Sequence, residues 1–101
     1  MLVVTRRAGD AIHIGGDIMV RVTEVHAGQV QLAITLDGRD GLGPGALAVT
    51  RRAGDKIQIV PDIVVYIASI RSSQVRLGVD APPTVRIARS EQPDVNTARR
   101  R

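Results

Sequence analysis

The chain repeats itself at a fixed offset of 45 residues, and this repeat constrains the fold more than any other feature. Residues 1–35 align with residues 46–80 without a gap, so that MLVVTRRAGDAIHI at 1–14 returns as ALAVTRRAGDKIQI at 46–59. Such a repeat indicates that one supersecondary unit is used twice. Two copies in one chain predict a structure with approximate two-fold symmetry. A chain with a single copy would need a partner chain to form it. Sixteen of the 35 positions are identical, namely Leu2, Val4, Thr5, Arg6, Arg7, Ala8, Gly9, Asp10, Ile12, Ile14, Asp17, Ile18, Val20, Gln29, Val30 and Leu32 of the first copy.

Each copy is too short to bury a stable core alone. Units of roughly 40 residues usually need disulfides, metals or association to fold. The chain has no Cys, which excludes disulfides and thiolate metal sites. The two copies are therefore predicted to share one core. That core must be aliphatic, because the chain has one Tyr and neither Phe nor Trp.

Apolar and polar residues alternate with a period of two in both copies, which is typical of strands with one buried face. Gly, Asp, Pro and Ser between these runs mark turns. The pattern predicts an all-β fold in which two repeats of short antiparallel strands are intertwined into a sandwich or barrel-like domain. The predicted strands cover residues 2–6, 11–14, 18–25, 29–34, 47–51, 56–59, 63–70, 74–79 and 84–88.

The two copies end differently. After its fourth strand the second copy continues into a fifth, whereas the first copy runs into the Gly-rich segment 37–45. We therefore expect a first repeat at 1–36 that lacks the fifth strand, a flexible linker at 37–45, a second repeat at 46–92, and a disordered basic tail at 93–101.

Composition narrows the class of function. A net charge of +4 and a pI near 11 permit a nucleic-acid partner. No apolar run of about 18 residues and no signal-peptide pattern occurs, so a cytoplasmic location without membrane attachment is expected. His13 and His26 lack a neighbouring ligand set or nucleophile, and no nucleotide or zinc motif is present. These observations predict that the protein is not an enzyme and has no metal or other cofactor.

Three segments carry a resemblance to a known family. The opening Met1–Asp10, the run Gln74-Val75-Arg76-Leu77-Gly78-Val79-Asp80-Ala81-Pro82, and Val85-Arg86-Ile87-Ala88-Arg89 together resemble the carbon storage regulator (CsrA/RsmA) family. The resemblance covers roughly residues 1–35 and 46–92. It implies intertwined subunits in which the first and last strands of one join the middle three strands of the other.

The resemblance also implies a function. Members of the family are post-transcriptional regulators that bind GGA-containing hairpin loops in mRNA leaders and repress translation or alter message stability. Their antagonists include small regulatory RNAs and, in some bacteria, a flagellar assembly protein. No RNA-recognition platform of stacked aromatics is available here, since Tyr66 stands alone. RNA binding must instead use Arg side chains, backbone groups and exposed aliphatic residues.

The family arrangement implies one complete RNA site in this chain. In the family, the first strand of one subunit meets the fifth strand of the other at each site. Carried over, this predicts a site formed by Val4, Thr5, Arg6, Arg7, Ile87, Ala88 and Arg89. Arg6 and Arg89 are the expected main contacts, because a guanidinium fork suits guanine edges and phosphates. As neighbours in a strand, Arg6 and Arg7 should point to opposite faces.

Several alternatives stay open at the level of sequence. The truncated first copy could have cost RNA binding, leaving a protein-interaction module for a flagellar assembly protein or another CsrA. A basic module that binds nucleic acid nonspecifically is a third possibility. A linker of this length is compatible with a monomeric pseudo-dimer and with a domain-exchanged homodimer. The sequence also leaves open whether a second site at Arg51 and Arg52 survives.

Overall fold

A computed structural model describes residues 1–36 and 46–90, with residues 46, 89 and 90 as backbone only. The predicted linker at 37–45 and tail at 93–101 lie outside the described residues. The described chain is all-β and contains no helix. Its strands are β1 (Leu2–Arg7), β2 (Ala11–Ile14), β3 (Ile18–His26), β4 (Gln29–Thr35), β5 (Ala46–Arg52), β6 (Lys56–Val60), β7 (Ile63–Arg71), β8 (Gln74–Asp80) and β9 (Ile87–Ser90).

The strands form two antiparallel sheets that exchange elements between the repeats. Sheet A has the order β1-β8-β7-β6, and sheet B has the order β5-β4-β3-β2-β9. The first strand of each repeat thus pairs with the fourth strand of the other, and β9 of the second repeat pairs with β2 of the first. This exchange is completed within a single chain. It explains how two short repeats stabilise each other, since neither sheet belongs to one repeat alone.

One aliphatic core fills the space between the sheets. Alternate residues of the strands point inward, as period two requires, and both sheets contribute to a single buried cluster. The prediction of a shared core without aromatic residues is confirmed. Its most buried members are Ile12, Ile14, Val20, Val22, Val30, Leu32 and Ile34 from sheet B and Val4, Ile63, Val65, Ile67, Val75, Leu77 and Val79 from sheet A.

The same tight turn joins the first two strands of each repeat. In the first copy Asp10 Oδ2 accepts a hydrogen bond from the backbone N of Arg7 at 3.0 Å, and Asp10 N donates to Arg7 O at 2.9 Å. Gly9 adopts a φ of 96°, a region that favours glycine. The second copy repeats the carboxylate contact between Asp55 and Arg52 at 2.8 Å. The turn predicted from Gly followed by Asp is confirmed in both copies.

Eight strands begin and end within one residue of their predicted bounds, and the ninth does not. It runs from Ile87 to Ser90 rather than over 84–88. The reason is a turn from Pro82 to Val85, closed by a hydrogen bond from Val85 N to Pro82 O at 2.9 Å. The carbonyl oxygen of Arg86 then accepts a hydrogen bond from Gly15 N at 2.7 Å. This bond aligns the following residues beside β2.

Candidate nucleic-acid interface

The four predicted site residues of β1 divide between the two faces of sheet A. Val4 and Arg6 point inward and are only 6% and 4% exposed, whereas Thr5 and Arg7 are exposed on the outer face. The prediction that Arg6 and Arg7 face opposite sides is confirmed. Val4 belongs to the core cluster, so any contact it makes with a ligand would be through the edge of the core.

Arg6 is the one charged side chain that is buried among the described residues. Its Nε donates a hydrogen bond to the carbonyl of Thr5 at 2.6 Å. Burying a charge is costly, and apolar side chains usually occupy such positions unless the charge is needed. An arginine at the inner edge of a core therefore marks this end of β1 as a functional candidate.

Arg7 is held on the opposite face by a neighbouring strand. In the orientation of the Gln74 amide that satisfies both groups, its oxygen accepts from Arg7 Nη2 at 2.8 Å and from Nε at 3.2 Å. The backbone N of Arg7 donates to the Asp10 carboxylate, as described for the turn. Arg7 thus has a fixed guanidinium on an exposed surface, a suitable arrangement for phosphate.

The predicted site residues of the fifth strand lie on the outer edge of sheet B. Ile87 is opposite Ile14, Ala88 opposite His13 and Arg89 opposite Ile12. Ile87 is half-buried and packs against the core, while Ala88 is exposed. For Arg89 the backbone position alone is described.

β1 and β9 are edge strands of different sheets and are not hydrogen-bonded to each other. Their ends come close to the same turn, the one that follows Arg7 and leads from β1 to β2. This turn leads into Ala11, and Ala11 is the residue opposite Ser90 at the end of β9. The C-terminal ends of β1 and β9 therefore flank the same turn. Whether they form one binding site stays a prediction.

The second copy of the motif has different surroundings. Arg51 is half-buried and its Nη1 donates to Thr50 O at 2.8 Å, whereas Arg52 is exposed. The turn after Arg52 leads into β6, and no described strand lies beyond β6 in sheet A. The counterpart of β9 is thus missing from the described part of the chain at this end.

Arg21 is a candidate that the sequence did not reveal. Its Nη1 donates to Gly9 O at 2.7 Å, and its Nη2 lies 3.8 Å from Met19 Sδ. A half-buried guanidinium thereby fixes the turn between β1 and β2. The second copy has Tyr66 at this position, so the contact is confined to the turn beside β9. The Arg-to-Tyr difference between the copies was the available signal.

Comparison with protein families agrees with this architecture. The model of the CsrA family, described as a global regulator protein family, matches residues 1–38 and 47–93. The chain belongs to the CsrA family. No curated protein and no solved structure gives a significant match.

Membership of the CsrA family has general consequences. The protein is a CsrA-like regulator, and this family consists of non-enzymatic regulators that generally bind RNA. The interlocked strands correspond to the dimer or pseudo-dimer architecture of the family. Within the described residues there is no helix long and apolar enough to cross a membrane. In the same part of the chain, no group of three or more His, Asp or Glu side chains could hold a metal ion.

Proposed function

We propose that this CsrA-family chain is a post-transcriptional regulator that binds GGA-containing hairpin loops in mRNA leaders through one complete site. The observation that carries the proposal is the strand exchange, in which β9 of the second repeat extends β2 of the first. Since the first repeat has no counterpart of β9 among the described residues, one end of the molecule has the two strands that a family site requires. The other end has one such strand in the described part of the chain.

The proposed site consists of Val4, Thr5, Arg6 and Arg7 on β1 and Ile87, Ala88 and Arg89 on β9. Arg6 and Arg89 supply donors for guanine edges or phosphates, because the guanidinium fork can bind both bidentately. Val4 and Ile87 supply apolar contact at the edge of the core. Thr5 and Arg7, exposed on the outer face of β1, contact the backbone of the RNA.

Binding at such a site would repress translation when the hairpin overlaps a ribosome-binding site. The protein would act in the cytoplasm, where messages are translated. Small regulatory RNAs that carry the same loop would compete for the site, and a flagellar assembly protein is a further candidate antagonist. Each of these expectations follows from the proposed site and from family membership.

Native mass spectrometry of the full chain, titrated with a GGA-loop hairpin and with a loop-scrambled control, tests the proposal. We expect one chain to bind one GGA hairpin and to exclude the control. Two chains with two hairpins would keep the RNA function and replace the single-chain pseudo-dimer with a domain-exchanged homodimer. Equal binding of both hairpins would remove the GGA specificity. Absence of RNA binding would favour a protein-interaction module.

A further inference from the structure

The outer face of sheet A has a cleft whose chemistry goes beyond the proposed loop site. Thr5, Ser69, Arg71, Gln74 and Arg76 line it. Strand register explains how these residues meet. Arg76 lies between Thr5 of β1 and Ser69 of β7, and in the next row Gln74 lies between Arg7 and Arg71. Side chains from three strands thus form two adjacent rows on one exposed surface.

The described residues that line the cleft are basic or neutral and include no carboxylate. Arg71 and Arg76 are both exposed, and neither forms an ion pair or hydrogen bond within the described chain. Arg7 adjoins the cleft through its hydrogen bonds to Gln74. Three guanidinium groups therefore lie on a patch about 10 Å wide, two strand spacings across. The hydroxyls of Thr5 and Ser69 add uncharged donors.

The pseudo-equivalent cleft on sheet B does not have this basic character. Its lining residues Glu24, His26, Gln29, Gln31 and Thr50 occupy the same rows at an offset of 45 residues. Glu24 replaces Ser69, His26 replaces Arg71 and Gln31 replaces Arg76 in this comparison. The cleft volume is about 120 Å³ on sheet B and about 170 Å³ on sheet A. The lining residues of the two clefts differ in charge.

We infer that the cleft on sheet A binds phosphate groups of the RNA that flank the recognised loop, and that the cleft on sheet B does not. The inference rests on the proposed function and adds a direction to it: the stem of the hairpin leaves the loop site over β1, β8 and β7. Two of the proposed loop contacts, Thr5 and Arg7, belong to both surfaces. The RNA backbone can therefore continue from the site into the cleft without a gap.

The chemistry of the lining favours phosphate over an acidic protein partner. Interface cores between proteins are enriched in aromatic and other apolar residues, and all the described residues that line this cleft are polar. Arginine forks and hydroxyl groups are typical phosphate contacts, which position a nucleic acid without reading its sequence. The cleft should therefore contribute affinity and salt dependence, and leave loop discrimination to the β1–β9 site.

The double variant R71Q/R76Q tests the inference, with R51Q/R52Q as the matched control that removes two charges from the second copy. Binding of the full chain to a GGA hairpin and to a loop-scrambled hairpin is measured from 0.1 to 1 M salt. We expect R71Q/R76Q to reduce the slope of log affinity against log salt by ~1.5, since each phosphate contact contributes roughly 0.7 to 0.9. Over this tenfold salt range the slope difference corresponds to binding that is ~30-fold weaker at 0.1 M.

The preference for GGA over the scrambled loop should stay unchanged in R71Q/R76Q, and R51Q/R52Q should leave both slope and preference near those of the wild type. An unchanged slope in R71Q/R76Q would overturn the inference about the cleft. The proposed function would still stand if the wild type preferred the GGA loop. A reduced slope without any wild-type GGA preference would support the cleft and overturn the loop specificity. An equal change of slope in both variants would mean that the salt dependence reports the overall charge of the protein. It would contradict phosphate binding at the cleft on sheet A.

Discussion

The two copies of the TRRAGD motif show how far identical local sequence determines structure. Both form the same turn, with the aspartate carboxylate on the backbone N of the second arginine. Their burial differs. Arg6 is 4% exposed and Arg51 is half-buried, while Val4 is buried and Val49 is half-buried. Local hydrogen bonds thus follow the motif, whereas burial follows the neighbours that the rest of the chain provides.

The strands after the two turns make this contrast sharper. Ile12 and Ile14 of β2 are 0% and 1% exposed, because β9 covers the outer edge of β2. Ile57 and Ile59 of β6 are half-buried, since no described strand lies beyond them. The same inward-facing isoleucines are core residues in one copy and edge residues in the other.

β6 also has features of a strand adapted to be an edge. Lys56 stands where β2 has the buried Ala11, and Pro61 follows the strand. The pairing with β7 has an irregular register between Gln58 and Val60. Lysines, prolines and bulges at sheet edges discourage the addition of further strands. These features are typical of an edge strand, which is the position that β6 has among the described strands of sheet A.

The largest expected effect in this comparison is on stability. Ile12→Ala should lower the free energy of unfolding by about 4 kcal/mol, because it leaves a cavity in the closed part of the core. Ile57→Ala should cost about 1–2 kcal/mol, since its site is open to solvent at one side and can relax. Urea denaturation of both variants measures the difference. Equal losses would show that β9 does not close the core at β2.

The next effect concerns RNA binding. Arg89→Ala should weaken specific binding of a GGA hairpin by about 1–3 kcal/mol, the value of a good base contact, which corresponds to ~5- to 150-fold. The melting temperature should hardly change, because a single Arg near a strand end contributes little to folding. Arg52→Ala is the control, because it removes an exposed Arg at the end of the molecule where no described strand lies beyond β6, and it should retain affinity. Normal binding by Arg89→Ala would remove this residue from the proposed site.

Sequence reasoning predicted the strands and the turn because both depend on local signals. Alternation located β1 to β8, and the Gly9-Asp10 pair located the turn. The full burial of Arg6 and the partial burial of Arg51 were not predictable, since both residues occur in the same hexapeptide. The cleft was hidden for a related reason: the register that sets Thr5 beside Arg76 joins distant parts of the chain. The later start of β9 depends on a turn that begins at Pro82, and the two prolines in the sequence did not by themselves show where that turn ends.

A smaller effect separates the turns themselves. Asp10→Ala and Asp55→Ala each remove a side-chain hydrogen bond to a backbone N and should each cost about 1 kcal/mol of stability. Asp10→Ala alone should also weaken RNA binding several-fold, because the ends of β1 and β9 flank its turn. Asp10→Asn keeps an acceptor oxygen at this position and should restore most of both losses. Calorimetry and hairpin titration measure the two effects, and equal RNA affinities in Asp10→Ala and Asp55→Ala would contradict the difference between the turns.

The smallest effect concerns Gly78, which has Ala33 as its counterpart in the first copy. A mid-strand glycine often marks the close approach of another backbone; here a Cβ at Gly78 would instead lie 2.7 Å from Met1 Sδ. The Met1 side chain is 73% exposed and can move away. Gly78→Ala should therefore change stability by less than about 1 kcal/mol, because displacement of Met1 opposes the usual gain of ~0.5–1 kcal/mol for replacing a strand glycine. Ala33→Gly should lose that same ~0.5–1 kcal/mol without compensation. A loss above about 2 kcal/mol in Gly78→Ala would mean that Met1 is fixed across β8, and the difference between the copies would then be a packing requirement of β1.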